Sequence, residues 1–130
     1  MAAELHRARA RYAFLMVESW DPTSGVGKKT ASWLPGLPVL IRTQGLLVAM
    51  CLLKKDGAST LERAFEEWVL GKADAAKDLP KLFGASPRAG LVELCTTADR
   101  ATYQAAQREA LALAEMLKLM AAAHGLKGEP

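Results

Sequence analysis

Near the C-terminus, Tyr103, Ala106, Ala110, Leu113, Leu117 and Met120 recur at spacings of three and four, which sets them on one stripe of a helix and on no single face of a strand. Asp99 or Thr102 stands where an N-cap is needed and Gly125 where a helix stops. This segment is expected to be the longest and central helix. The same period returns from about Ala3 to Trp20, where Leu5, Ala8, Tyr12, Leu15 and Met16 form one stripe and Arg7, Arg11 and Glu18 another. It returns again in Leu61, Ala64, Phe65, Trp68 and Val69, with Ser59 and Glu62 placed as a capping box and Gly71 as a stop. Only two or three short stretches have strand character. The expectation is an all-α fold, a compact single-domain helical bundle of about five to seven helices over residues 1–130, with a long C-terminal helix.

The middle of the chain is less regular. Asp21 to Gly27 reads as a loop, with Pro22 fixing one angle and Gly25 and Gly27 relaxing others. A helix is expected from near Lys28, disturbed at Pro35-Gly36 and resuming at Pro38, a residue tolerated in a first helical turn. Val39, Leu40, Leu46, Leu47, Met50 and Leu53 then form a broad apolar surface. Gly45 inside it marks a close helix crossing or a break between two helices. Residues 72–87 read as a loop with one turn near Leu79–Phe83, followed by a short helix from about Pro87 to Thr96; the tail from about 125 to 130 is expected to fray.

With 130 residues, 51% of them hydrophobic, the chain has enough apolar material for one core without covalent staples. No run of about 18 apolar residues escapes a charge or a proline, and the N-terminus carries Glu4, His6, Arg7, Arg9 and Arg11 instead of a signal core. A soluble, cytoplasmic protein with no membrane association is expected. Cys51 and Cys95 stand alone in apolar segments, without a second ligand at metal spacing, and read as reduced, buried thiols; no metal or other cofactor is expected.

The string Ser24-Gly25-Val26-Gly27-Lys28-Lys29-Thr30 imitates a phosphate-binding P-loop but departs from it. Pro22 stands where the first glycine belongs, Lys29 separates Lys28 from Thr30, and a helix end precedes it instead of a buried strand. His6 and His124 lie near opposite termini, so a His-assisted nucleophile would need both ends to converge. Glu62, Glu66, Glu67, Glu93, Glu109 and Glu115 read mostly as solvated positions on helix faces. Nothing in this set demands an enzyme.

The basic groups are more informative. Up to Lys55 the chain has eight basic residues against three acidic, a net +5, whereas the remainder has nine against eleven, a net −2. Lys28 and Lys29 are expected to open a helix, where free N–H groups already favour an anion. Arg42 lies beside Gln44 and Gly45 in the apolar segment that Lys54-Lys55 closes. These five residues, with Arg88 as a lesser candidate, form a candidate phosphate-tracking surface. Only Trp33 is near enough to stack on a base, so backbone contact is the expected mode.

The segment from Lys28 to Met50 resembles the signature region of the small-subunit family of type III-B CRISPR Cmr complexes. That family carries a lysine- and small-residue-rich helix, a Leu-Pro (here Leu37-Pro38), an Ile with a polar triplet ending in glycine (Ile41 to Gly45), then Leu and an alanine-bearing apolar helix. The resemblance continues through the Leu61–Trp68 helix to Tyr103, Glu109-Ala110-Leu111 and Leu117-Lys118. Gln44 replaces the asparagine common before the central glycine, and Pro35-Gly36 makes the preceding helix less regular.

The resemblance implies a non-catalytic subunit, several copies of which stack beside a filament of backbone subunits and meet a large subunit, the guide RNA and the target RNA. An aspartate of the backbone subunit would cut the target. The small subunit of the related type III-A complex, a protein-only helical adaptor, and an enzyme built on the Gly27-Lys28 loop are the rival readings.

Overall fold

The computed structural model describes residues 2–21, 23–71 and 90–125. Within them the chain forms seven helices: α1 (Ala2–Ser19), α2 (Gly25–Trp33), α3 (Leu37–Gln44), α4 (Leu46–Lys55), α5 (Ser59–Val69), α6 (Leu91–Thr97) and α7 (Arg100–Ala123). The fold is all-α, and α7 is the longest helix. The expected turn near Leu79–Phe83, residues 87–89 and the tail beyond Gly125 lie outside the described residues.

Helix α7 packs on α1, α3, α4 and α5, and α4 packs in turn on α3, α5 and α6. Its stripe behaves as the spacing requires, with Ala106, Ala110, Leu113 and Leu117 fully buried and Tyr103 and Met120 at the margin of the core. Asp99 is the N-cap, its carboxylate accepting from the Thr102 N–H at 2.7 Å, which holds its pKa below the usual carboxylate range. In α5, Leu61, Ala64, Phe65, Trp68 and Val69 are all buried. The α1 stripe holds at Leu5, Ala8, Tyr12 and Met16, which lie in or against the core, and departs from expectation at Leu15. Tyr12, Ala13, Val17 and Trp20 go inward and Leu15 faces solvent, because the arc between Tyr12 and Trp20 meets α5 and α7.

Gly45 is a break between two helices. It closes α3 and begins α4 at φ 93° and ψ 163°, a conformation only glycine adopts without strain. The two first free N–H groups of α4 are satisfied from α7, Leu46 by Gln107 Oε1 and Leu47 by the Tyr103 hydroxyl oxygen, each at 3.0 Å. Gln44, which stands where the family commonly has asparagine, is exposed.

The capping box at Ser59 and Glu62 does not form. Helix α4 ends in a Schellman motif in which Gly57 N–H bonds Lys54 O and Ala58 N–H bonds Leu53 O, with Gly57 at φ 76°. Ala58 is thereby the N-cap of α5, its own N–H already taken, and Glu62 turns to Lys54 at 3.4 Å.

Glu109 also departs from the solvated reading. It is 15% exposed and accepts hydrogen bonds from Arg9 Nε and Nη2, at 2.7 and 3.0 Å, and from the Trp68 indole N–H at 2.7 Å. Glu66, half-buried, accepts the Leu91 N–H that starts α6. Tyr12 stacks on Trp68 with centroids 5.1 Å apart and donates its hydroxyl to Ala64 O. Burial raises its pKa well above the ordinary phenol value, with Glu67 adding to the effect.

Of the two thiols only Cys95 is buried, where desolvation pushes its pKa up to about 11. Cys51 is exposed, since the inward arc of α4 is Leu46, Ala49, Met50 and Leu53 and position 51 falls outside it. Val39 likewise faces solvent.

Candidate nucleic-acid interface

The loop before α2 is built from short polar contacts. Asp21 Oδ1 accepts from the Thr23 N–H and hydroxyl, Asp21 O accepts from Ser24, and Ser24 Oγ caps the Gly27 N–H at 2.9 Å. The bonds from Thr23 hold the Asp21 pKa below its ordinary value. Gly27 packs so tightly on the Asp21 carbonyl that a Cβ would collide with it. Close backbone approach therefore accounts for the second glycine of the P-loop-like string, and helix α1 precedes it.

Helix α2 starts at Gly25, three residues before the expected position, because Ser24 supplies the cap. Lys28 and Lys29 thus stand one turn inside the helix, and the Lys28 N–H bonds Ser24 O. Lys29 Nζ donates to Asp56 O at 2.6 Å, and the Trp33 indole N–H donates to Asp56 Oδ2 at 2.7 Å. These two bonds pin α2 to the end of α4, where Lys54 and Lys55 occupy the last turn and complement its dipole. Lys28, Lys29, Lys54 and Lys55 are all exposed, and the Lys29–Asp56 bond sets the helix that carries the first two against the end of the helix that carries the other two.

Arg42 is placed elsewhere. It sits in the last turn of α3, ion-paired with Glu115 of α7 at 3.2 Å, and α4 carries the chain away from it over about 15 Å to Lys54. The Arg42–Glu115 pair is more than half exposed on both sides, so it is worth well under about 1 kcal/mol and leaves the guanidinium free to change partners. Arg88 lies outside the described residues.

Two features that organise this region escape a reading of the sequence. Asp56 bridges α2 and α4, and its position before Gly57 at a helix end is the one local signal of it. Tyr103 and Gln107 cap α4 from across the core, and no local pattern announces that. His124 lies edge-on to Phe14 of α1, with centroids 5.2 Å apart, and its Nδ1 is 2.9 Å from Met120 O. Among the described residues no three His, Cys, Asp or Glu side chains gather as a metal site, and no helix is long and apolar enough to cross a membrane.

A family model described as CRISPR-associated protein (Cas_Cmr5) matches residues 5–124, which is most of the chain. The chain belongs to that family. Cas_Cmr5 is the small-subunit family of type III-B CRISPR complexes, so the protein is a CRISPR-associated, Cmr-type subunit that works with other subunits of such a complex. No curated protein and no solved structure matches it. The matched residues take in most of α1 and the whole of α2 to α7, with Lys28, Lys29, Arg42, Lys54 and Lys55 among them.

Proposed function

We propose that this Cas_Cmr5-family chain is a non-catalytic subunit that packs beside the backbone filament of a Cmr effector complex and supports guide and target RNA for antiviral silencing in the cytoplasm. Further copies of itself, the backbone subunit and the large subunit are its protein partners. The observation that carries the RNA reading is the bond from Lys29 to the Asp56 carbonyl, which joins the lysines of α2 to those of α4 in one exposed basic corner. Four ammonium groups held on helix surfaces attract phosphates without reading bases, as a subunit serving any guide sequence requires. Arg42 extends the same role from the far end of α4 once Glu115 releases it. The only two histidines of the chain lie on α1 and at the end of α7, and among the described residues neither is hydrogen-bonded to a Ser or Cys. On this reading chemistry belongs to another subunit.

The test is a pull-down of the tagged protein from its native host, with mass spectrometry of partners and sequencing of bound RNA. Backbone subunits together with repeat-derived RNAs sharing a constant 5′ tag are the expected result. Protein partners without RNA at low salt would overturn the RNA-supporting role and leave a protein-only adaptor.

A further inference from the structure

Cys51 and Cys95 are the chain's only cysteines, and the helices that carry them pack on each other. In α6, Leu91 and Cys95 stand one turn apart and form the buried stripe of that helix. Two hydrogen bonds set how α6 lies along α4. At one end the Leu91 N–H bonds Glu66 of α5, one turn beyond the Glu62 that meets Lys54, so this end lies alongside the turn of α4 before Lys54, where Cys51 is. At the other end the Leu47 N–H bonds the Tyr103 hydroxyl, in the first turn of α7, which follows α6 after only Ala98 and Asp99. Leu47 and Cys51 are one turn apart on the same flank of α4, so α6 runs past that flank.

The two thiols sense each other across this contact. Burial, and then the charge of Cys51 close by, push the Cys95 pKa up to about 11. They differ in access, since Cys51 is exposed and Cys95 is 7% exposed. Lys54 and Lys55 follow Cys51 by three and four residues, so an anionic reagent approaching Cys51 meets two ammonium groups.

We infer that Cys51 and Cys95 form a reversible thiol pair, in which an acidic disulfide such as glutathione disulfide oxidises Cys51 first and Cys95 then closes a cross-link between α4 and α6. The Cys51 thiolate attacks one sulfur of glutathione disulfide, giving a mixed disulfide and releasing one glutathione thiolate, which takes up a proton. Cys95 gives up its proton and attacks the Cys51 sulfur of the mixed disulfide, and the second glutathione leaves as a thiolate and is protonated. The protein loses two hydrogens, and one glutathione disulfide becomes two glutathione thiols. Excess glutathione runs both steps backward, so the pair is open in a reducing compartment and closes under oxidant load. The pair goes beyond the proposed function and rests on helix packing, so it holds or fails whether or not the chain supports RNA.

The full-length protein is equilibrated in glutathione redox buffers, both folded and in concentrated urea, then quenched by alkylation and read by mass spectrometry with peptide mapping. Expected for the folded protein is a monomer lighter by two hydrogens, with the Cys51 and Cys95 peptides joined. Its pair should show an effective concentration at least about tenfold above that of the urea-unfolded chain, which is on the order of millimolar. Cys95→Ala should stop at a stable mixed disulfide on Cys51, and Cys51→Ser should leave Cys95 reduced over the same interval. An effective concentration no higher than in urea, oxidation of the parent that stops at the mixed disulfide, or cross-linking only between chains would overturn the pair. Glutathione addition to Cys95 in Cys51→Ser as fast as to Cys51 in Cys95→Ala would overturn the order of attack.

Discussion

Arg9 and Glu109 are charged residues held inside the helical packing, whereas Lys28 and Lys55 are charged residues left in water, and the two regions use the same chemistry for opposite ends. The Arg9–Glu109 pair is 13% and 15% exposed, bidentate, and completed by the Trp68 indole. It fixes the register of α1 against α7 and α5. In the lysine corner, among the described residues, only Lys54 meets a carboxylate, at 3.4 Å, and that lysine is 65% exposed. Burial with every polar atom satisfied makes a charge structural. Exposure next to a helix end, with loose or absent partners, keeps it available to a polyanion.

The largest effect on stability should come from Glu109→Ala. It strands the Arg9 guanidinium and the Trp68 N–H in the interior and should cost about 3 kcal/mol in urea unfolding, with Glu109→Gln costing less. A loss no larger than that of a surface substitution would erase the contrast between the two regions.

Gly45→Ala comes next. The residue would have to adopt φ 93°, and its Cβ would meet the Tyr103 hydroxyl at 3.1 Å and Gln107 Oε1 at 3.4 Å. The expected cost is about 2 kcal/mol, read from the same unfolding curves.

A smaller effect is expected at Asp99, whose folded pKa is depressed by the Thr102 N–H. A depressed acid contributes stability that is present above its unfolded pKa and lost as pH falls through the folded value. Asp99→Asn keeps the cap at neutral pH and should flatten that acid-side loss in a series of thermal melts. The smallest stability effect belongs to the lysines. Lys28→Ala or Lys55→Ala should stay within about 0.5 kcal/mol of the parent, which separates a binding role from a structural one.

Sequence made α5 and α7 legible because each buries one narrow arc, and a narrow arc has one possible phase. Helix α1 was harder. Leu15 and Val17 are equally apolar, and only the approach of α5 and α7 decides that Val17 goes in. The capping box failed for a similar reason, since the fate of the Ala58 N–H is settled by the end of α4 and not by the residues after it. Glu109 looked solvated because its partners, Arg9 and Trp68, are 100 and 41 residues away. The basic corner was half legible: the lysines were named from sequence, but the bond from Lys29 to Asp56 that groups four of them, and the separation of Arg42, are tertiary facts.

The most direct test of the account is the salt dependence of target RNA capture by the assembled complex carrying Lys28→Ala, Lys29→Ala, Arg42→Ala, Lys54→Ala and Lys55→Ala together. Weaker capture, with the slope of log affinity against log salt reduced by about one for each phosphate that no longer meets a cation and the helical fold intact, is the predicted result. Unchanged affinity and slope in a folded, assembled variant would contradict it and remove the basic corner from RNA recognition.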